Sequence, residues 1–391
     1  MSEAVPRVLF VTHSGVLGGA ERSLLDLAGG WRADRHLLVL ADGPVAEAAR
    51  ARGIPVTVEP LGALGDVKRE SGGPGLGALA DVARLAGKVS RMAKGFDLIH
   101  ANSQKAFVVA AAAGLLARRP VVWHLRDILS TAHFSSRNIT AAVFLANARA
   151  AAVICNSRAT ADAFVEAGGK PELVHVVHNG LDPARFDAVT PSQTAALRAE
   201  LRAGDAPVLA VCARLAPWKG QHVALAALQA LPDAHAWIIG AALFGEDAYA
   251  YGLLGHATAL GVADRVRFLG EREDVAALLQ AADVVVHAAV DAEPFGRVVV
   301  EGMLARRPVI ATDAGGVREI LVHGETGWLV TPGDPAALAA AVAAVHAMPA
   351  VARDAIVSRA RADAEARFTV PAMIAGVERA VAGLSARRSP P

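Results

Sequence analysis

The chain has 391 residues, about two to three times the length of an ordinary domain, so two domains are expected. Hydrophobic residues make up 53% and charged residues 20%, which excludes a disordered chain and allows large buried cores. A formal net charge of +1 excludes the overall basic footprint of a nucleic-acid-binding protein.

Short β-branched runs alternate with longer helical patterns along the chain. Strands are predicted at 8–12, 36–40, 55–58, 97–100, 121–124, 152–156 and 174–177, with helices between them such as 20–27, 77–92 and 104–116. Turn residues then cluster from 179 to 207 (Asn179-Gly180, Asp182-Pro183, Thr190-Pro191, Asp205-Ala206-Pro207) around one short polar helix. The alternation resumes with strands at 208–212, 236–240, 266–269, 283–287, 309–312 and 328–330. Past Gly333 the chain is Ala-rich helix, ending in a polar Arg-Arg-Ser-Pro-Pro tail expected to fray.

Near-continuous apolar strands separated by helices predict parallel sheets covered on both faces. The expected fold is α/β with two Rossmann-like domains facing a cleft. Their bounds are 1–180 and 181–370, with a helix and tail at 371–391 packing back on the first. Cys155 and Cys212 lie in separate apolar runs and read as buried reduced thiols, not a disulfide or a metal cluster. The residues from Met1 to Arg7 lack a basic start, apolar stretch and cleavage site, and no apolar run of about 18 residues escapes charge, Gly or Pro. A soluble, cytoplasmic protein is expected, at most peripheral to a membrane.

In open parallel sheets ligands bind beyond the carboxyl ends of the strands, so the residues just after each strand carry the information. After the first strand comes Thr12-His13-Ser14-Gly15-Val16-Leu17-Gly18-Gly19-Ala20-Glu21, whose glycines permit tight turning. The helix beginning near Gly19 is expected to offer free N–H groups to an anion, although the loop is neither GxGxxG nor a Walker motif. A structural βα turn is the competing reading.

After the first strand of the second half, Arg214 and Lys219 place two cations ahead of a helix, a pairing suited to a pyrophosphate or to a charged turn. Glu293 and Glu301 flank a helix opened by Gly296, and both carboxylates are expected on one edge of a cleft. Free N–H groups of Phe295 and Gly296 lie between them. Such a pair accepts hydrogen bonds from sugar hydroxyls or performs general acid/base work.

These segments occur in a definite order, completed by Asn179-Gly180-Leu181-Asp182, Gly315-Gly316-Val317-Arg318-Glu319 and Gly324-Glu325-Thr326-Gly327. Over nearly its whole length the chain resembles the retaining glycosyltransferases of family four, which have the GT-B fold. The resemblance implies that Arg214 and Lys219 hold the donor pyrophosphate, Glu301 the ribose, and Glu293, Phe295 and Gly296 the transferred sugar. It places Gly18 and Gly19 by the pyrophosphate and acceptor, the base beside Gly270–Arg272, with Arg272 among the donor-binding residues, and His124 by the anomeric region. His100, Arg126 and Asp127 become acceptor-side candidates. Catalytic roles fall to His124, Arg214, Lys219 and Glu293.

The partners so implied are a nucleoside-diphosphate hexose, UDP- or GDP-linked, and a hydroxyl acceptor: a glycan, a lipid-linked saccharide or a small natural product. No cofactor or metal is expected. There is no His/Cys cluster at ligand spacing, and the acid of Asp291-Ala292-Glu293 that matters is already placed on sugar. Two other enzyme classes share the fold, sugar-nucleotide epimerases and phosphorylases, and a non-catalytic donor-binding module is a further alternative. The absence of GxGxxG after either half's first strand argues against a nicotinamide dehydrogenase.

One segment lies outside donor chemistry. Arg84, Lys88, Arg91 and Lys94 recur at helical spacing beside Leu76, Leu79, Leu85, Val89 and Met92. This predicts a basic amphipathic helix, either a solvated face or a dock on anionic membrane.

Overall fold

The computed structural model describes residues 5–65, 76–243 and 245–384. The side chain of Leu76 and the polar tail of the sequence reading lie outside the described residues. The chain divides into two compact units, one formed by residues up to Gly180 together with those from Val370 onward, the other by Leu181–Thr369.

Unit 1 alternates strictly: β1 (Val8–Thr12), α1 (Gly19–Gly30), β2 (Arg35–Val39), α2 (Pro44–Ala51), β3 (Val56–Val58), α3 (Leu76–Ala93), β4 (Leu98–Ala101) and α4 (Gln104–Ala117). It continues with β5 (Val121–Leu125), α5 (Ser136–Arg149), β6 (Ala150–Cys155), α6 (Arg158–Glu166) and β7 (Val174–Val176). The strands pair in parallel in the order β3-β2-β1-β4-β5-β6-β7. Leu9 and Val11 enter the core on one face of the sheet, while Val8 and Phe10 enter the core on the other. A strand buried on both faces must be apolar throughout, which is why these runs do not alternate with polar residues. Ser103, Ser135 and Ser157 cap α4, α5 and α6 by accepting from backbone N–H groups of the first turn.

Unit 2 opens with α7 (Ala184–Asp187) and α8 (Pro191–Glu200), two short helices where one was expected. The second owes its definition to a capping box, Thr190 and Gln193 each bonding the other's backbone. Then follow β8 (Val208–Cys212), α9 (Gln221–Ala227), β9 (His235–Ile239), α10 (Asp247–Ala259), β10 (Val266–Gly270), α11 (Val275–Ala281), β11 (Val284–His287) and α12 (Arg297–Leu304). The unit closes with β12 (Val309–Thr312), β13 (Trp328–Val330), α13 (Pro335–Ala347) and α14 (Ala350–Arg367). Its parallel sheet runs β10-β9-β8-β11-β12-β13. Alternate residues again divide between two cores, Val208 and Ala210 to one, Leu209 and Val211 to the other.

The last helix, α15 (Val370–Val381), belongs to unit 1, where Met373, Ile374, Val377, Ala380 and Val381 join the core containing Phe10 and Trp31. Cys155 is buried and Cys212 half-buried, and burial pushes the Cys155 thiol up to about 12. No single helix among the described residues is long and apolar enough to cross a membrane. The α13–α14 pair passes on composition but bends by 113°, and Leu338, Val342 and Val345 of α13 are core residues.

Candidate active site

In each sheet the strand order reverses at one place, between β1 and β4 in unit 1 and between β8 and β11 in unit 2. Connections there leave in opposite directions and open a crevice at the carboxyl ends. Gly18, Gly19, Arg214, Lys219 and Glu293 follow strands at these two positions, whereas Arg272 follows the edge strand β10 and His124, Arg126 and Asp127 lie at the end of β5.

In unit 2 the segment after β8 turns through Pro217–Lys219 as one 3-10 turn and enters α9 at Gly220. Gly220 has φ +70°, and a Cβ there would lie 1.8 Å from the Ala288 carbonyl oxygen, so only glycine fits. The segment after β11 is tied to it by Val290 N–H donating to the Trp218 carbonyl at 2.9 Å. Trp218 lies under both cations: Lys219 Nζ is 4.0 Å and the Arg214 guanidinium 5.5 Å from its ring centre.

Lys219 Nζ reaches Glu293 Oε2 at 2.5 Å, and His287 Nε2 stands 3.2 Å from the same oxygen. His287 Nδ1 is in turn 3.3 Å from Thr312 Oγ1, extending the chain onto β12. Burial alone raises the Glu293 carboxyl, but the Lys219 charge and the His287 hydrogen bond outweigh it and hold it down to about 2. It is therefore an anion, fit to accept hydrogen bonds from hydroxyls and unfit to donate a proton near neutrality. Its backbone is fixed from behind: Gly316 N–H donates to the Glu293 carbonyl at 2.8 Å, and a Cβ on Gly315 would lie 2.3 Å from that oxygen.

Phe295 is buried against Phe368, ring centres 5.8 Å apart, so this residue has only its backbone to present to a ligand. Gly296 caps α12, and Glu301 lies one turn inside it, 3.8 Å from Arg297 Nη2. Arg272 is spoken for. It forks onto Asp274 at 2.8 and 2.7 Å and lies 3.6 Å from Glu200, which raises its pKa further and directs the guanidinium at its own loop.

In unit 1 the helix after β1 carries an acid of its own in its first turn. Glu21 is buried in the first turn of α1, and its carboxyl turns back onto the backbone N–H groups of Glu21 and Gly18. Burial pushes this carboxyl up to about 7, opposed by those backbone bonds and by the Arg126 charge. A Cβ on Gly18 would lie 2.9 Å from Glu21 Oε2, so the glycine makes room for the carboxyl.

His100 and His124 pair across β4 and β5, Nε2 to Nδ1 at 3.1 Å, both fully buried. Burial and the Arg126 charge push His100 down to about 3 and His124 well below its ordinary value, so both rings are neutral. An open histidine at a strand end is thus replaced by an enclosed pair. Arg126, also buried, donates to Asn102 Oδ1 at 3.0 Å and to Asn179 Oδ1, joining the ends of β4 and β5 to the segment just before Gly180. Asp127 is half-buried beside it.

Sequence reasoning passed over Trp218 and His287. The tryptophan had a signal, an aromatic inside a two-cation loop. The histidine had only its place at the end of the predicted strand 283–287, and its relation to Lys219 depends on the two strands being neighbours. On α3, Arg84 bonds Asp81 and the Pro60 carbonyl, and Lys88 bonds Glu59 at 2.6 Å, so half of the expected basic face is neutralised internally. Leu79, expected in the buried stripe, is 52% exposed. Among the described residues no three His, Cys, Asp or Glu side chains gather as a metal site.

Two doubly wound parallel sheets in one chain, the second with paired cations and a buried carboxylate at its crevice, define a GT-B glycosyltransferase architecture. The model of glycosyl transferases group 1 matches residues 193–363 and that of glycosyltransferase family 4 matches 17–185. HepE of Anabaena, crystallised with UDP and glucose, is 40% identical, with 97% of this chain and 100% of that one covered and a TM-score of 0.88. The D-inositol 3-phosphate glycosyltransferase of Mycolicibacterium gilvum is 35% identical over 219 residues, 54% of this chain and 48% of that protein. The lipopolysaccharide core biosynthesis glycosyltransferase LpsE of Rhizobium meliloti is 33% identical over 191 residues, 49% and 52% of the two chains. The matches thus span about half the length of these curated relatives. This chain belongs to the group 1, family 4 glycosyltransferases.

Proposed function

We propose that the protein transfers a hexose from a UDP-linked donor to a hydroxyl acceptor, with retention at the anomeric carbon. The observation that carries the reading is the Trp218–Lys219–Glu293–His287 arrangement at the β8/β11 crevice, with Arg214 on the same tryptophan. Uridine as the base is supported by the relative crystallised with UDP-glucose.

In this reading Lys219 and Arg214 face the diphosphate, Glu293 and the Phe295–Gly296 backbone face the sugar, and Glu301 faces the ribose. The bond from the anomeric carbon to the diphosphate oxygen breaks, and the acceptor oxygen bonds the same carbon from the same face. The acceptor proton passes to the departing diphosphate oxygen. Fixed cations meet the negative charge that grows on the leaving group, so they lower the barrier as well as improving binding. Within unit 1, Arg126, Asp127 and the loop at Gly18 and Gly19 are the candidates for binding the acceptor, beside the buried His100–His124 pair.

The test is steady-state kinetics after a thermal-shift screen of UDP-, GDP- and dTDP-sugars has identified the donor. Arg214→Ala and Lys219→Ala should each lower kcat by roughly 10- to 100-fold. Glu301→Ala should raise the donor KM with kcat little changed, since no charge develops at ribose. If the two cation variants leave both constants within about twofold of the parent, the diphosphate lies elsewhere. Turnover should survive complete chelation by EDTA, and restoration by magnesium after its loss would remove the metal-independent part of the reading.

A further inference from the structure

The segment that carries Arg214 and Lys219 is closed by a side chain that the donor chemistry does not use. Beyond Cys212 the side of the chain facing β9 stays paired: Ala213 and Leu215 N–H donate to the Ile239 and Ala241 carbonyls at 3.0 and 2.9 Å. Backbone groups alternate along an extended chain, so the Arg214 carbonyl points to the other side, where pairing with β11 reaches only Ala210. Gln221 supplies the donor there. Its Nε2 gives a hydrogen bond to the Arg214 carbonyl at 2.9 Å. Gln221 is fully buried and opens α9 seven residues after Arg214, so both cations lie on the segment that this clasp closes.

The other end of the amide is held from α10. The Tyr249 hydroxyl donates to Gln221 Oε1 at 3.3 Å and accepts from His222 N–H at 3.3 Å, with His222 Nδ1 3.0 Å from the same oxygen. Burial raises the Tyr249 hydroxyl above its ordinary pKa and lowers that of the His222 ring, so the phenol keeps its proton and the imidazole is neutral. A hydroxyl has one proton to give. With it committed to Gln221, His222 donates from Nδ1. The amide cannot be reversed, because its oxygen would then face the Arg214 carbonyl. An apolar side chain would fill this buried position at less cost if packing were the only requirement, whereas a satisfied amide also fixes a direction.

We propose that Gln221 and Tyr249 are positioning residues for sugar transfer, holding the Arg214 backbone so that its guanidinium, 5.5 Å from the Trp218 ring centre, is aimed at the diphosphate. The inference rests on the reading of Arg214 as a diphosphate ligand.

The test is a double-mutant cycle on kcat at saturating donor and acceptor. Tyr249→Phe deletes only the hydroxyl, and Gln221→Met keeps the length of the side chain without its amide. Tyr249→Phe should lower kcat about threefold and Gln221→Met about fivefold, less than removal of Arg214 itself. Both losses should vanish when Arg214→Ala is already present, because a residue acting through Arg214 then has nothing to position. A role in stability alone would not depend on Arg214 in this way. Unchanged circular dichroism confirms folding, and if Gln221→Met does not fold, Tyr249→Phe decides. If Arg214→Ala leaves both constants within about twofold of the parent, the donor reading fails and takes this inference with it. If Arg214→Ala lowers kcat as expected, while Tyr249→Phe leaves kcat unchanged or its loss multiplies with that of Arg214→Ala, the donor reading stands and this inference alone is overturned.

Discussion

Replacing Lys219 by Met removes the cation that lies 2.5 Å from Glu293 Oε2 while keeping an alkyl stem over Trp218. The Glu293 carboxyl is held at about 2 against an ordinary 4.5. That difference favours the folded state by about 3 kcal/mol at neutral pH. His287 remains in the variant and retains part of it, so the expected loss is about 2–3 kcal/mol, slightly below the usual cost of breaking a buried pair. Because the folded pKa lies below the unfolded one, the stabilisation is fully present above pH 4.5 and fades as pH falls from there toward 2. Differential scanning calorimetry of the full chain should show the transition of the second unit lowered by about 4–12 °C at pH 7. The shift should narrow at about pH 3.5. Adding Glu293→Gln to the variant should recover part of the loss, since an amide costs less to bury than an unpaired carboxylate. A shift below about 1 °C at pH 7, or an equal shift at both pH values, would refute the coupling of these residues.

Glu21 should behave in the opposite sense, because its folded pKa of about 7 lies above the unfolded value. The penalty for its charge is absent below pH 4.5 and complete above pH 7, so Glu21→Gln should gain up to about 3 kcal/mol in urea unfolding at pH 8 and almost nothing near pH 4. An equal gain at both would mean that the side chain titrates normally. Gly220→Ala should cost about 2 kcal/mol or more and weaken UDP binding, because the Ala288 carbonyl blocks the new methyl. Gly261→Ala, also at positive φ but with nothing within 4 Å, should cost only about 1 kcal/mol and leave UDP binding alone.

The thirteen strands among the described residues each overlap a run read from the sequence, with ends displaced by a residue or two. Two-face burial explains this, since Val8–Val11 or Val208–Val211 cannot tolerate polar interruption and so stand out as apolar blocks. The site was legible where chemistry sits just after such a block, as with Arg214, Lys219 and Glu293. What escaped depends on partners distant in sequence. Glu59 neutralises Lys88 from 29 residues away, and Lys219 reaches Glu293, six residues beyond His287, from 74 residues away. The folding back of Glu21 onto Gly18 is local, yet it turns on burial of the carboxyl, which the residue pattern of a glycine loop does not reveal.

The return of α15 to unit 1 has a consequence for biosynthesis. As the chain leaves the ribosome, residues through Gly180 emerge first, but one face of their sheet is completed by Met373, Ile374 and Val377. Phe10, Leu24 and Trp31 therefore lack part of their covering until Val370–Val381 has been translated. The earlier-made half must wait with hydrophobic surface open while the later-made half, continuous in sequence, folds on its own schedule. Premature termination ahead of Val370 would leave a nascent product with a folded second unit and an unfinished first, a substrate for chaperones and proteases.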